Sequence, residues 1–235
     1  MVQYTQSPSG PAGGDLSGTY PNPVAGGSTA ATFAVANAET VGGALAVTGV
    51  LTAGGMAVPA AEFEPGDHGF LAWAYDPTLT VNQTAAANGT LYLAKIVLRY
   101  PQTITNLNVG VAAAAVAPVA NQNYLALYDS SGVRQAVTAA GTVDAKTLST
   151  GLLTQAVVTP YAAAAGFYWI AALFNAATPC QLVRATGFSS TPNSGLTAAN
   201  LRWAVNGTAL TATPSSITPA SNTSSGNITF WAAAS

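Results

Sequence analysis

Three carboxylates and the only histidine of the chain fall within residues 62–68: Glu62, Glu64, Asp67 and His68, in the stretch "EFEPGDHG". Hard cations such as calcium take carboxylate oxygens as ligands, so this cluster is the first place to look for a metal. The regular spacing of a calcium-binding loop is missing, and Pro65-Gly66 breaks the run in the middle. A solvated, charged hinge is the expectation, with no metal site. Sugar-bond cleavage needs two facing carboxylates, and Asp67, Asp76, Asp129 and Asp144 are the candidates in the region that follows. Asp129 opens "DSSG" and Asp76 precedes Pro77, both of which are turn positions. For serine hydrolysis His68 would have to be the base, yet no serine sits in a Gly-x-Ser-x-Gly elbow. There is no glycine-rich phosphate loop with its lysine either. No catalytic residue and no cofactor are expected.

Composition narrows the partners. Only 6% of residues are charged and the net charge is −2. The six basic residues are spread from Lys95 to Arg202 and do not form a run that could follow a phosphate backbone, so no nucleic acid is expected. Cys180 is alone, which excludes an intrachain disulfide, and one Cys with one His cannot make a Cys/His zinc site. From Thr147 to Val183 there is no charge at all. Its most apolar part, "YAAAAGFYWIAALFNAA", is interrupted by Asn175 and flanked by Pro160 and Pro179. A membrane-spanning helix needs roughly 20 predominantly apolar residues. Phe167 to Phe174 is therefore expected to be a buried strand, without membrane insertion. The opening "MVQYTQSPSG" lacks the basic-then-apolar pattern of a signal peptide. Trp73, Trp169, Trp203 and Trp231 could stack sugars, but each lies in a strand-like run, where a core role is the default.

The elements that would carry these residues fall into three zones. Residues 1–29 are rich in Gly, Pro, Ser and Thr and cannot pack a core of their own. In residues 30–61, Phe33, Val35, Val41, Leu45, Val47 and Leu51 all fall on odd positions, the period of a strand. A hexad, Gly-x-apolar-x-apolar-x, runs through "GALAVTGVLTAGGMAV". So short a repeat cannot bury its apolar stripe alone. Three identical chains wound about an axis would supply the partners, so a trimeric β-stalk is expected, with Val41, Leu45, Val47 and Leu51 facing the axis. A flexible linker is the competing reading of the same composition.

Residues 62–235 hold recurrent short strand-like runs, such as "TLYLAKIVLR", "NYLALYD", "FYWIAALF" and "ITFWAA", separated by turn residues. Low charge with many Thr, Val and aromatic residues favours strands over charged helices. The expected fold is all-β, an antiparallel jelly-roll-like β-sandwich head.

The stretch Gly13, Gly14, Asp15, Leu16, Ser17, Gly18, Thr19, Tyr20, Pro21, Asn22 and Pro23 resembles a motif that recurs in bacteriophage tail-fibre and minor tail proteins. The family form continues Thr-Val, whereas here Val24 follows directly. The "TVGGALAVTGVLTAGG" segment is similar to phage fibre stalks, and "AGFYWIAALFNAATP" more loosely to β-sandwich modules at the ends of actinobacteriophage fibres. The resemblance implies a virion protein, a homotrimeric fibre whose residues 13–23 form an extended collar for attachment to other tail or capsid proteins. Its head would bind a host cell-surface glycan or protein. A capsid decoration protein or head fibre is the alternative, because 235 residues is short for a tail fibre. A tail-spike polysaccharide hydrolase is less favoured, for want of paired carboxylates.

Overall fold

The computed structural model describes residues 63–185, 191–226 and 228–235, together with the backbone of four two-residue strands nearer the N-terminus. It divides into two compact units, Met1–Ala60 and Ala61–Ser235. In the first, β1 (Leu16–Ser17) pairs antiparallel with β2 (Val24–Ala25), and β3 (Thr52–Ala53) with β4 (Met56–Ala57). In the second pair Thr52 stands opposite Ala57 and Ala53 opposite Met56. Of the expected collar, the structure describes only the backbone of Leu16 and Ser17. The stalk residues Val41, Leu45, Val47 and Leu51 lie outside the described residues.

The second unit is all-β. Its strands are β5 (Ala72–Trp73), β6 (Thr80–Ala85), β7 (Tyr92–Leu98), β8 (Gln102–Ala113), β9 (Val116–Pro118), β10 (Tyr124–Asp129) and β11 (Arg134–Val137). They continue with β12 (Gly151–Ala163), β13 (Gly166–Leu173), β14 (Ala176–Thr178), β15 (Gln181–Ala185), β16 (Trp203–Val205), β17 (Thr223–Ser224) and β18 (Ala232–Ala234). The helical pieces among the described residues are short 3₁₀ turns.

Two sheets face each other. The first has the order β11-β10-β13-β7-β16-β17. The second runs β5-β18-β8, with β12 on the other edge of β8. Beyond Val109, β8 exchanges β18 for β15, which carries β6 outside it. From β7 to β13 each new sandwich strand crosses to the opposite sheet, apart from the β10–β11 hairpin. The inner orders β7-β13-β10-β11 and β5-β18-β8-β12 are those of a jelly roll.

Alternation along the strands builds two apolar layers. Ile96, Leu98, Ile104, Val109, Leu125, Ile170 and Phe230 meet between the sheets. Leu93, Ala126, Tyr128, Trp169 and Leu173 point the other way, to the outer face of the first sheet. There they are covered by the segment 191–226, through Leu201, Leu210 and Ile217. The central strand β13 is thus buried on both faces, which explains its unbroken apolar sequence. Polar groups pin the cover down. The Trp169 Nε1 donates to the Leu201 carbonyl at 3.0 Å, and the Tyr128 hydroxyl to the Pro214 carbonyl at 2.6 Å.

The last strand, β18, is held between β5 and β8. The Ser235 carbonyl accepts from both the Thr105 and Asn106 amides, at 2.8 and 2.7 Å. None of the helices described is long and apolar enough to cross a membrane.

Candidate functional site

The carboxylates that sequence singles out are spent on local structure. Glu62 lies outside the described residues. Glu64 begins the 3₁₀ turn Pro65–His68, where its amide donates to Asp67 Oδ2 at 2.8 Å. Gly69 closes the turn at φ 76°, a left-handed conformation that glycine adopts without strain. The His68 ring packs edge-on against Trp73 at 5.4 Å and faces Phe63 at 6.0 Å, so it belongs to an aromatic row rather than a ligand set. Among the described residues no three of His, Cys, Asp and Glu gather as a metal centre would require.

Asp76 caps the turn Pro77–Leu79 by accepting from the Thr78 amide and hydroxyl at 2.7 and 2.6 Å, and these bonds hold its pKa below the usual value. Asp129 holds the β10–β11 hairpin. One oxygen accepts from the Ser131 amide and hydroxyl and the Val133 amide, the other from Gln135. Gly132, at φ 88°, completes that loop, and a Cβ there would meet the Ile217 carbonyl oxygen at 2.2 Å. Asp144 accepts from the Asn121 amide and from Asn123 Nδ2, both at 2.8 Å, and so ties its loop to the start of β10. These groups carry out separate structural tasks in separate turns.

The tryptophans divide three to one. Trp169, Trp203 and Trp231 are buried, and each indole N–H reaches a carbonyl: Leu201, Phe230 and Tyr75 respectively. Trp73 is half-buried, with its neighbour Ala72 turned into the core.

Two surfaces remain as candidates for recognition. The first is the outer face of the second sheet. It holds an apolar groove of about 340 Å³ lined by His68, Phe70, Gly110, Leu152, Val183 and Trp231, among others. Leu152 and Val158 on β12 are 56% and 64% exposed, and β8, β12 and β18 carry no charged residue.

The second candidate is a pair of basic residues, Lys95 on β7 and Arg202 just before β16. The pairing Trp203↔Ala94 puts Arg202 directly opposite Lys95, whose amide donates to the Arg202 carbonyl at 2.7 Å. Lys95 Nζ stands over the Phe167 ring at 4.1 Å and donates to the Asn200 carbonyl at 2.7 Å. The Arg202 guanidinium lies 4.5 Å over Trp203 and donates to the Ala74 carbonyl at 2.9 Å. Burial first, and then the Arg202 charge, hold Lys95 below the usual lysine value. Sequence reading did not identify this pair. The available signal was Lys95 itself, an interruption in the apolar run "LYLAKIVL", but its partner comes from the other side of a long insertion. No protein-family model matches the chain, and none of the curated proteins matches it significantly.

Proposed function

We propose that this chain is a structural protein of a bacteriophage virion: a homotrimeric fibre, anchored by residues 13–23 and adhering to the host surface through its jelly-roll head. The observation that carries the reading is the Gly13–Pro23 motif, which precedes a glycine-rich alternating segment and then an all-β head. Two features of the head support it. Its described aspartates serve turns and loop contacts, which favours a binding role over a catalytic one. On β12 of the second sheet Leu152 and Val158 are exposed, beside strands β8 and β18 that carry no charged residue, which suits packing against another copy.

Solution mass tests the trimer. Light scattering on the full chain should give three times the 23.4 kDa of one copy. A monomer would remove the trimeric fibre and leave a single-copy module. Antibody against residues 62–235 on intact particles then separates a tail fibre or minor tail protein, labelled at the tail, from a capsid decoration protein or head fibre, labelled over the shell.

A further inference from the structure

We propose that the cleft between the end of β7 and the 3₁₀ turn Pro65–His68 binds a single neutral sugar residue. Placing that sugar on a cell-surface glycan rests on the adhesion reading above, whereas the sugar chemistry stands on the cleft itself.

The cleft begins where β7 loses a neighbour. Strand β16 pairs with residues 92–94 of β7, and beyond them the Lys95 amide donates to the Arg202 carbonyl. Peptide groups along an antiparallel strand alternate sides, so the Val97 N–H and C=O point the same way as the Lys95 amide, away from β13. On that side no strand continues the sheet, and no turn or loop group among the described residues is bonded to Val97. A cavity of about 260 Å³ lies against this bare edge. Val97 and Leu98 point to opposite faces of the strand, yet both line it, and no residue of β13 does.

A sugar ring presents C–H faces and a rim of hydroxyls, each able to donate and to accept. The cleft offers both complements. Phe70, Leu71 and Val97 give apolar contact, and Tyr100, 70% exposed, brings an aromatic ring with a polar tip. Arg99, Tyr100 and Gln102 also line the cavity, and their side chains have no hydrogen-bond partner among the described residues. The Val97 N–H and C=O add a donor and an acceptor fixed by the sheet.

Charge and size narrow the ligand. Glu64 is the one acid and Arg99 the one base among the lining residues, so the formal charge cancels and an anion gains nothing overall. Sites for drug-sized ligands run to roughly 300–1,000 Å³, so this smaller cavity suits about one ring. A peptide strand added here would find only a short edge to pair with, which disfavours strand addition.

The test is saturation-transfer NMR on the full chain with methyl glycosides of glucose, galactose, mannose, rhamnose and N-acetylglucosamine. Glucuronate and the tetrapeptide Thr-Val-Thr-Val are the comparisons. At least one neutral glycoside should bind, and more tightly than glucuronate. Hydrogen exchange in residues 97–102 should slow when it is present. Tyr100 and Gln102 are exposed, so Tyr100→Ala/Gln102→Ala should fold normally and weaken binding by roughly tenfold or more. Tyr100→Phe keeps the ring and should retain most of the affinity.

Binding by no neutral glycoside, a preference for glucuronate, or a folded double variant that binds unchanged overturns the site. Binding of the tetrapeptide alone would assign the edge to strand addition and overturns it too. Adhesion to bacteria is scored separately, with the bound glycoside as competitor. Inhibition by the glycoside would place the sugar on the cell surface. A chain that binds the glycoside through these residues but adheres to no bacterium keeps the site and loses the adhesion reading. Adhesion that neither the glycoside nor the double substitution alters keeps that reading and leaves the site to a free sugar.

Discussion

The Val183 side chain lies against Gly110, where an added Cβ would meet Val183 Cγ2 at 1.8 Å. The two residues sit on β15 and β8, where those strands pair, and both line the apolar groove. The absent side chain at position 110 therefore sets how closely Val183 can approach the sheet. Gly110→Ala should destabilise the head by about 1–3 kcal/mol through overpacking. Val183→Ala in the same chain should restore much of that loss. Urea unfolding of the two single variants and the double would measure the coupling, and strictly additive effects would show that the contact carries no energy.

Tyr128 reports on the cover of the first sheet. It is fully buried, and burial pushes its phenol up to about 12, so the hydroxyl remains a donor throughout the physiological range. Tyr128→Phe keeps the ring but strands the Pro214 carbonyl. A loss of about 1–2 kcal/mol is expected, together with faster amide exchange in residues 201–217. A stability change without that local exchange effect would mean the hydroxyl does not hold the cover.

Asp129 gives the hairpin a pH dependence with a definite sign. Burial raises its pKa, but hydrogen bonds from Ser131, Gln135 and Val133 together outweigh it, so the carboxyl ends below the ordinary 3.8. A depressed carboxyl contributes stability above its unfolded value and loses it as pH falls through the folded one. The stabilisation should therefore be complete at neutral pH and disappear on acidification below about pH 4. Comparing urea midpoints of wild type and Asp129→Asn from pH 6 to pH 2 checks this. The gap between the two should narrow as the pH drops. A gap that stays constant would assign the effect of Asp129 to something other than its charge.

Some of this architecture is legible in the residues and some is not. "FYWIAALF" announces a strand buried on both faces because no position in it can tolerate water. "DSSG" announces a hairpin because its Asp and Gly are the residues that such a loop needs. The longest strand, β12, gives no such signal. Most of its residues are exposed, Pro160 interrupts it, and its register against β8 shifts between Ala156 and Tyr161. Strand β6, "TVNQTA", is too polar to stand out. The cover over Trp169 comes from a loop-like segment with no periodicity to reveal what it packs on. The Lys95–Arg202 pair depends on one strand pairing, β16 against β7, and no local pattern encodes it.

The exposed apolar residues of β12 make a prediction about assembly. Leu152 and Val158 are exposed in one copy, so replacing both with Asp should cost the isolated fold little. In a trimer that buries this face, the same change would bring like charges together in an apolar contact and weaken association. Light scattering should show dissociation at concentrations where the wild type stays assembled, with the far-ultraviolet spectrum unchanged. If the variant remains fully assembled, the contact surface lies elsewhere, and Leu45→Asp/Val47→Asp/Leu51→Asp becomes the test of whether the N-terminal segment holds the copies together.

Cys180 provides a probe of global opening. It is fully buried within the sandwich core, and burial pushes its thiol up to about 12. At pH 8 the native thiolate fraction is then on the order of one in ten thousand, and a reagent cannot reach it without opening the sheets. Labelling by iodoacetamide should be slower than for an unfolded chain by several orders of magnitude. It should also accelerate in urea with the slope of global unfolding, because Cys180 packs in the layer that joins both sheets. Fast labelling in the absence of urea would mean that the β14–β15 turn opens locally. In that case the core would end at Leu182 rather than enclose the cysteine.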